Sequence, residues 1–223
     1  MLYNYLAGAV SGLLAGFIFS RLAIKQIAKR NGDIHKQDAL KKPLVIIVWM
    51  FVSSLLFVAV IARQGGLIQA KTVEYLIYVS ILLNIAAVDF MIRKVPNELL
   101  LLLLLTKSVF IAIDLFNRVP LKDSLVIPAI GLAAGLVLFS IPSLIKIPIG
   151  AGDVKLSAAI GFCLGYFLYF QSMALMSVML LVYLAFLLIT KKGSIKTLTS
   201  MGPYLAFGSV LTMLFPLTNT LAR

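Results

Sequence analysis

The sequence predicts an all-α fold, a polytopic membrane helix bundle of about eight transmembrane helices. Three observations predict it. The 223 residues are 61% apolar and only 13% charged, where a soluble domain is nearer half apolar and a quarter charged. The apolar residues fall in long runs, and a spanning helix needs about 20 of them. The lysines and arginines also sort by side when alternate loops are compared, as the positive-inside rule requires.

The runs place candidate helices at 2–20, 44–62, 72–89, 98–116, 124–142, 154–170, 172–189 and 202–219. Glu74 and Asn84 dilute the third. The sixth and seventh run together, and their joint length predicts a tight hairpin near Gln171 and Ser172. Gly8, Gly12 and Gly16 recur every four residues in the first helix, a close-packing face. Its positive charges follow the helix instead of preceding it, which argues for a retained span over a cleaved signal peptide.

With eight spans, one side receives Arg21, Lys25, Lys29, Arg30, Lys36, Lys41, Lys42, Arg93, Lys94, Lys146, Lys155, Lys191, Lys192 and Lys196. The other receives Arg63, Lys71, Lys107, Arg118, Lys122 and Arg223. The richer side is expected to be cytoplasmic, with both termini outside. The net charge of +12 then reflects loops held against anionic membrane lipid. Nucleic acid is not an expected partner, because no charge-dense soluble domain exists to grip it. A single domain, 1–223, is expected, with a short basic cytoplasmic loop at 22–43, either amphipathic or disordered. The sequence specifies no oligomeric state.

No metal or other cofactor is expected. The one cysteine, Cys163, sits in an apolar run, and the one histidine, His35, sits in the basic loop. That leaves neither a cysteine metal site nor a Ser/His/Asp arrangement. The eight carboxylates sort by position. Asp33 and Asp38 belong to the basic loop, and Glu74, Asp114 and Asp123 are expected at external helix ends. Asp89, Glu98 and Asp153 are expected at the cytoplasmic face.

Helix three reaches that face at Asp89, and helix six starts from it at Asp153. Two carboxylates at similar depth can form an acid–base pair in which one proton is shared. The ionised member takes a proton from water while the protonated member polarises a peptide carbonyl. Gly150 and Gly152 flank Asp153, lack Cβ, tolerate φ > 0 and permit close backbone approach. Pro142 and Pro148 are expected to keep helix five from continuing into helix six, which puts Asp153 at a helix N-terminus favourable to an anion. Ser157, Gly161 and Gly165 continue a small-residue face. Lys155 is expected to reach the headgroups. Pro96 fixes a turn after Asp89, Asn97 is expected to cap helix four, and Glu98 to sit in its first turn. An ion-coupled transporter would also explain two intramembrane carboxylates.

Asp89 with Pro96 and Asn97, and Gly150-Ala151-Gly152-Asp153-Val154-Lys155-Leu156, resemble the motifs of the type IV prepilin peptidases. These are GxGD-type intramembrane aspartyl proteases. Gly202-Pro203-Tyr204-Leu205-Ala206-Phe207-Gly208 is similar to the segment that opens the family's last helix. The resemblance implies catalysis by Asp89 and Asp153, with Gly150, Gly152, Lys155, Pro96 and Asn97 in support. It implies prepilin or pseudopilin precursors as substrates, cut at the cytoplasmic membrane face of a prokaryote. Bifunctional members carry a larger cytoplasmic domain with paired cysteines and methylate the new N-terminus. The short, cysteine-free segment here argues against N-methylation. A non-catalytic pilus assembly protein is a further alternative.

Overall fold

A computed structural model describes residues 2–31, 41–144, 150–190 and 200–217. Among these the secondary structure is entirely helical: α1 (Leu2–Asn31), α2 (Pro43–Gln64), α3 (Ala70–Ile92), α4 (Asn97–Phe116), a π-helical turn (Lys122–Val126), α5 (Ile127–Leu144), α6 (Ala151–Ile189) and α7 (Gly202–Leu214). The chain divides into two compact units, Met1–Ile113 and Asp114–Arg223.

Among the described residues, six helices are long and apolar enough to cross a membrane, where the sequence predicts about eight spans. The difference lies in unit two. The sixth and seventh apolar runs form one 39-residue helical stretch, and the last helix has only 13 residues. The long stretch is not straight. Gly165 interrupts it with φ 76° and ψ 163°, a conformation essentially confined to glycine. The Ser157 and Tyr169 hydroxyls, 12 residues apart, meet at 2.7 Å. Twelve residues of straight helix rise about 18 Å, beyond the reach of both side chains, so the chain doubles back at Gly165. The hairpin is therefore real but sits six residues before the expected Gln171–Ser172 break. Gln171 has another task. Its Nε2 donates to the Phe215 carbonyl at 2.6 Å and its Oε1 accepts from the Leu217 N–H at 2.9 Å, closing the end of α7.

Unit one is built on the expected glycine face. A Cβ on Gly12 would lie 2.6 Å from Ser54 Cα, and one on Gly16 2.7 Å from Met50 Cα. Bare backbone at these positions lets α1 and α2 pack antiparallel at close range. Ser54 then donates across the seam to the Ala9 carbonyl at 3.1 Å. Of the six spans α3 is the most buried, and this explains the two polar residues that dilute it. Asn84 is wholly buried and donates to the Phe19 carbonyl at 2.9 Å.

The basic loop expected from residue 22 begins later, because α1 continues to Asn31. Ala23 and Ile27, one turn apart, are buried against Val88 and Ile92 of α3, while Arg21, Lys25 and Lys29 face outward. The charges lie on the solvated side of a helix, so this part of the basic stretch is amphipathic. Asp33, His35 and Asp38 lie outside the described residues.

Glu74, near the start of α3 as expected of a helix-end residue, and Lys107 are both buried. Lys107 stands near the middle of α4, and its Nζ lies 3.0 Å from Glu74 Oε1. Pro142 lies in the last turn of α5, which ends at Leu144, and α6 starts separately at Ala151. Pro148 lies outside the described residues.

Candidate functional site

Asp89 lies in the last turn of α3 and is 4% exposed. Its carbonyl accepts the Arg93 N–H at 2.8 Å, and Arg93 ends the helix in the left-handed conformation, φ 52° and ψ 41°. That conformation is costly for a non-glycine residue, so the turn behind Asp89 is held by its surroundings. On neighbouring positions Val88 and Ile92 pack against α1, which fixes the rotation of this end of α3. A buried carboxylate needs a partner or a use.

The link to α4 is short. Pro96 is buried, and its carbonyl accepts the N–H groups of Leu99 at 3.1 Å and Leu100 at 3.2 Å. Pro96 thus takes the first helical bond, and Asn97 is the exposed first residue of α4. The sequence places the cap on Asn97; it falls one residue earlier, because the proline carbonyl already occupies that role. Glu98 sits in the first turn as expected. Its Oε1 meets Lys29 Nζ at 2.8 Å and Arg30 Nη2 at 3.8 Å. The C-terminal end of α1, the end of α3 and the start of α4 therefore share one basic end of unit one.

In unit two, the Gly-Ala-Gly-Asp box forms the start of α6. Gly150 is the N-cap, with φ −63° and ψ 128°, and Asp153 is in the first turn. The Asp153 N–H donates to the Gly150 carbonyl at 2.9 Å. The positive-φ role expected for Gly150 and Gly152 is not used: the positive-φ glycines among the described residues are Gly65, Gly66 and Gly165. A helix start needs an extended cap and right-handed residues after it. What Gly150 supplies is room. A Cβ there would lie 3.1 Å from Asp153 Oδ2, so the carboxylate folds back over the bare cap. Its side chain is half-buried and Lys155 is exposed.

Below Asp153 the packing is close. Gly131 and Gly161 face each other backbone to backbone, and a Cβ on Gly135 would lie 2.6 Å from the Ser157 carbonyl. Pairing 131 with 161 and 135 with 157 makes α5 antiparallel to the first half of α6. The second half returns against α7, where the Ser172 and Ser209 hydroxyls meet at 2.9 Å. Two features carried no signal in sequence: the buried Glu74–Lys107 pair and the Ser157–Tyr169 contact. Both need knowledge of which helices neighbour each other.

No group of three or more His, Cys, Asp or Glu side chains that could hold a metal ion occurs among the described residues. A sequence profile of the type IV leader peptidase family matches residues 76–191, a stretch that includes Asp89, Asp153 and the whole of the box between Gly150 and Leu156. No curated protein and no solved structure matches the chain.

Proposed function

The chain belongs to the type IV leader peptidase family, and we propose that Asp89 and Asp153 are the two carboxylates that do its chemistry. Family membership makes the protein a multi-pass membrane aspartic peptidase acting on prepilin-type substrates. The assignment of the pair is carried by the contrast between two environments. Asp89 is buried at the end of α3, while Asp153 sits half-exposed in the first turn of α6.

Two carboxylates that share one proton can divide the work of general acid and general base. In this reading Asp89 holds the proton and polarises the scissile carbonyl, and Asp153 takes a proton from the attacking water. The tetrahedral intermediate collapses as the proton passes to the leaving amine. No covalent enzyme intermediate is required. Gly150 leaves space for the Asp153 carboxylate, Pro96 and Asn97 start α4 just beyond Asp89, and Lys155 reaches the headgroups.

The same reading gives the finer arrangement. The two units act as one peptidase domain. The halves of α6 on either side of Gly165 count as separate crossings, which with α7 restores eight. The basic end of unit one faces the cytoplasm of a prokaryote, so both termini are outside. Burial of Lys107 removes one charge from the outer side and sharpens that asymmetry. Substrates are prepilins or pseudopilins cut at the cytoplasmic face of the membrane, without N-methylation.

The test is incubation of the purified protein with a prepilin-like precursor in detergent, read by product mass. Loss of a leader-sized peptide, unaffected by zinc chelators, supports the reading. A further methyl mass in the presence of a methyl donor would reinstate methylation. Intact precursor with folded protein would contradict the assignment.

A further inference from the structure

The hairpin at Gly165 brings one tyrosine back under the Asp153 turn. Tyr169 is wholly buried, as is Ser157. Ser157 Oγ lies 3.3 Å from the Gly135 carbonyl of α5 and 2.7 Å from Tyr169 Oη. A serine hydroxyl has one proton to give. A carbonyl can only accept, so the serine proton goes to Gly135 and the tyrosine donates to the serine. The result is a directed chain, Tyr169 O–H to Ser157 O–H to Gly135 C=O. It ties α5 and both halves of α6 at a single point.

Ser157 is four residues after Asp153, on the same helix face and about 6 Å away. The segment that carries Asp153 before the break is short, running from Ala151 to Gly165. Its packing against α5 includes close backbone contacts at Gly131, Gly135 and Gly161. Smooth backbone contacts of this kind give closeness but little resistance of their own to rotation or sliding. The tyrosine–serine bond supplies a directional lock that such a surface lacks.

We propose that Tyr169 is a positioning residue for Asp153, its hydroxyl holding the first half of α6 at the rotation and height that aim the aspartate. This rests on the reading of Asp153 as catalytic. Tyr169 itself touches neither substrate nor the reacting atoms. Chemistry that depends on atomic aim is sensitive to small displacements, whereas binding of a long apolar substrate helix is spread over many contacts.

The experiment compares Tyr169→Phe, Ser157→Ala and the double variant with the unaltered full chain in lipid nanodiscs. Cleavage kinetics are measured alongside thermal unfolding, with Asp153→Asn run in parallel. The expected result is a kcat about 10-fold lower in each single variant with KM unchanged. The double variant should fall no further than the weaker single, because both changes break one chain. Tyr169→Phe with kcat within about twofold of the parent overturns the proposal, even if its unfolding temperature drops, because that is a purely structural role. If Asp153→Asn still cleaves, the catalytic reading of Asp153 fails, and the positioning role fails with it. If Asp153→Asn is dead while Tyr169→Phe is fully active, only the positioning role is lost.

Discussion

Lys107 Nζ lies 3.0 Å from Glu74 Oε1, inside unit one and near the middle of α4. The same carboxylate accepts the Tyr78 hydroxyl at 2.7 Å and Lys71 Nζ at 2.9 Å. Both Glu74 oxygens are thus engaged, and one buried anion joins α3 to α4. Breaking a buried pair strands the remaining charge, whereas replacing both partners by apolar groups does not. Glu74→Leu is expected to destabilise the protein by about 3–5 kcal/mol. Glu74→Leu combined with Lys107→Met should recover most of that loss. Denaturation in detergent checks it; a double variant as unstable as the single would contradict the account.

Gly150 leaves space that Asp153 fills, with Oδ2 3.1 Å from where a Cβ would stand. Gly150→Ala must therefore push the carboxylate aside by a few tenths of an ångström. Turnover should drop several-fold, since aim at the reacting centre matters. Loss of stability should stay within about 1 kcal/mol, the usual scale for a cap change. Unchanged kcat in the alanine variant would mean that the carboxylate is not held over the cap during catalysis.

At Gly165 the backbone conformation excludes other residues, and a Cβ would lie 2.6 Å from Ile127 Cγ2. Gly165→Ala should cost about 2 kcal/mol or more, from backbone strain and the contact together. The hairpin also carries the return segment with Tyr169, so activity should decline with stability. An unfolding temperature equal to that of the parent would show that the turn is made differently.

Much of this was legible in the chain. The glycine face of α1, the helix start at the Gly-Ala-Gly-Asp box and the placement of Asp89 near the end of a helix all follow from local spacing. Local spacing also set the limits. Apolar character is continuous from Leu156 to Ile189, so Gly165 reads as one more small packing residue, and the polar Gln171 attracts the break. The Gly165 backbone and the return of Tyr169 to Ser157 show where the chain turns. Arg21, Lys25 and Lys29 leave an amphipathic and a disordered reading equally open, and only the packing of Ala23 and Ile27 on α3 decides between them. Lys107 reads with the outer charges because its partner is 33 residues away, beyond any helical repeat.

The central claim is that Asp89 and Asp153 act together on a peptide bond. It is tested most directly by measuring precursor cleavage with Asp89→Asn and Asp153→Asn, each purified and shown to be inserted and folded. Asparagine keeps the shape and removes the ability to exchange a proton, so each variant should lose activity by about 10²-fold or more. The double variant should be no worse than either single, because the two carboxylates work as a unit. Full cleavage by either single variant would contradict the account.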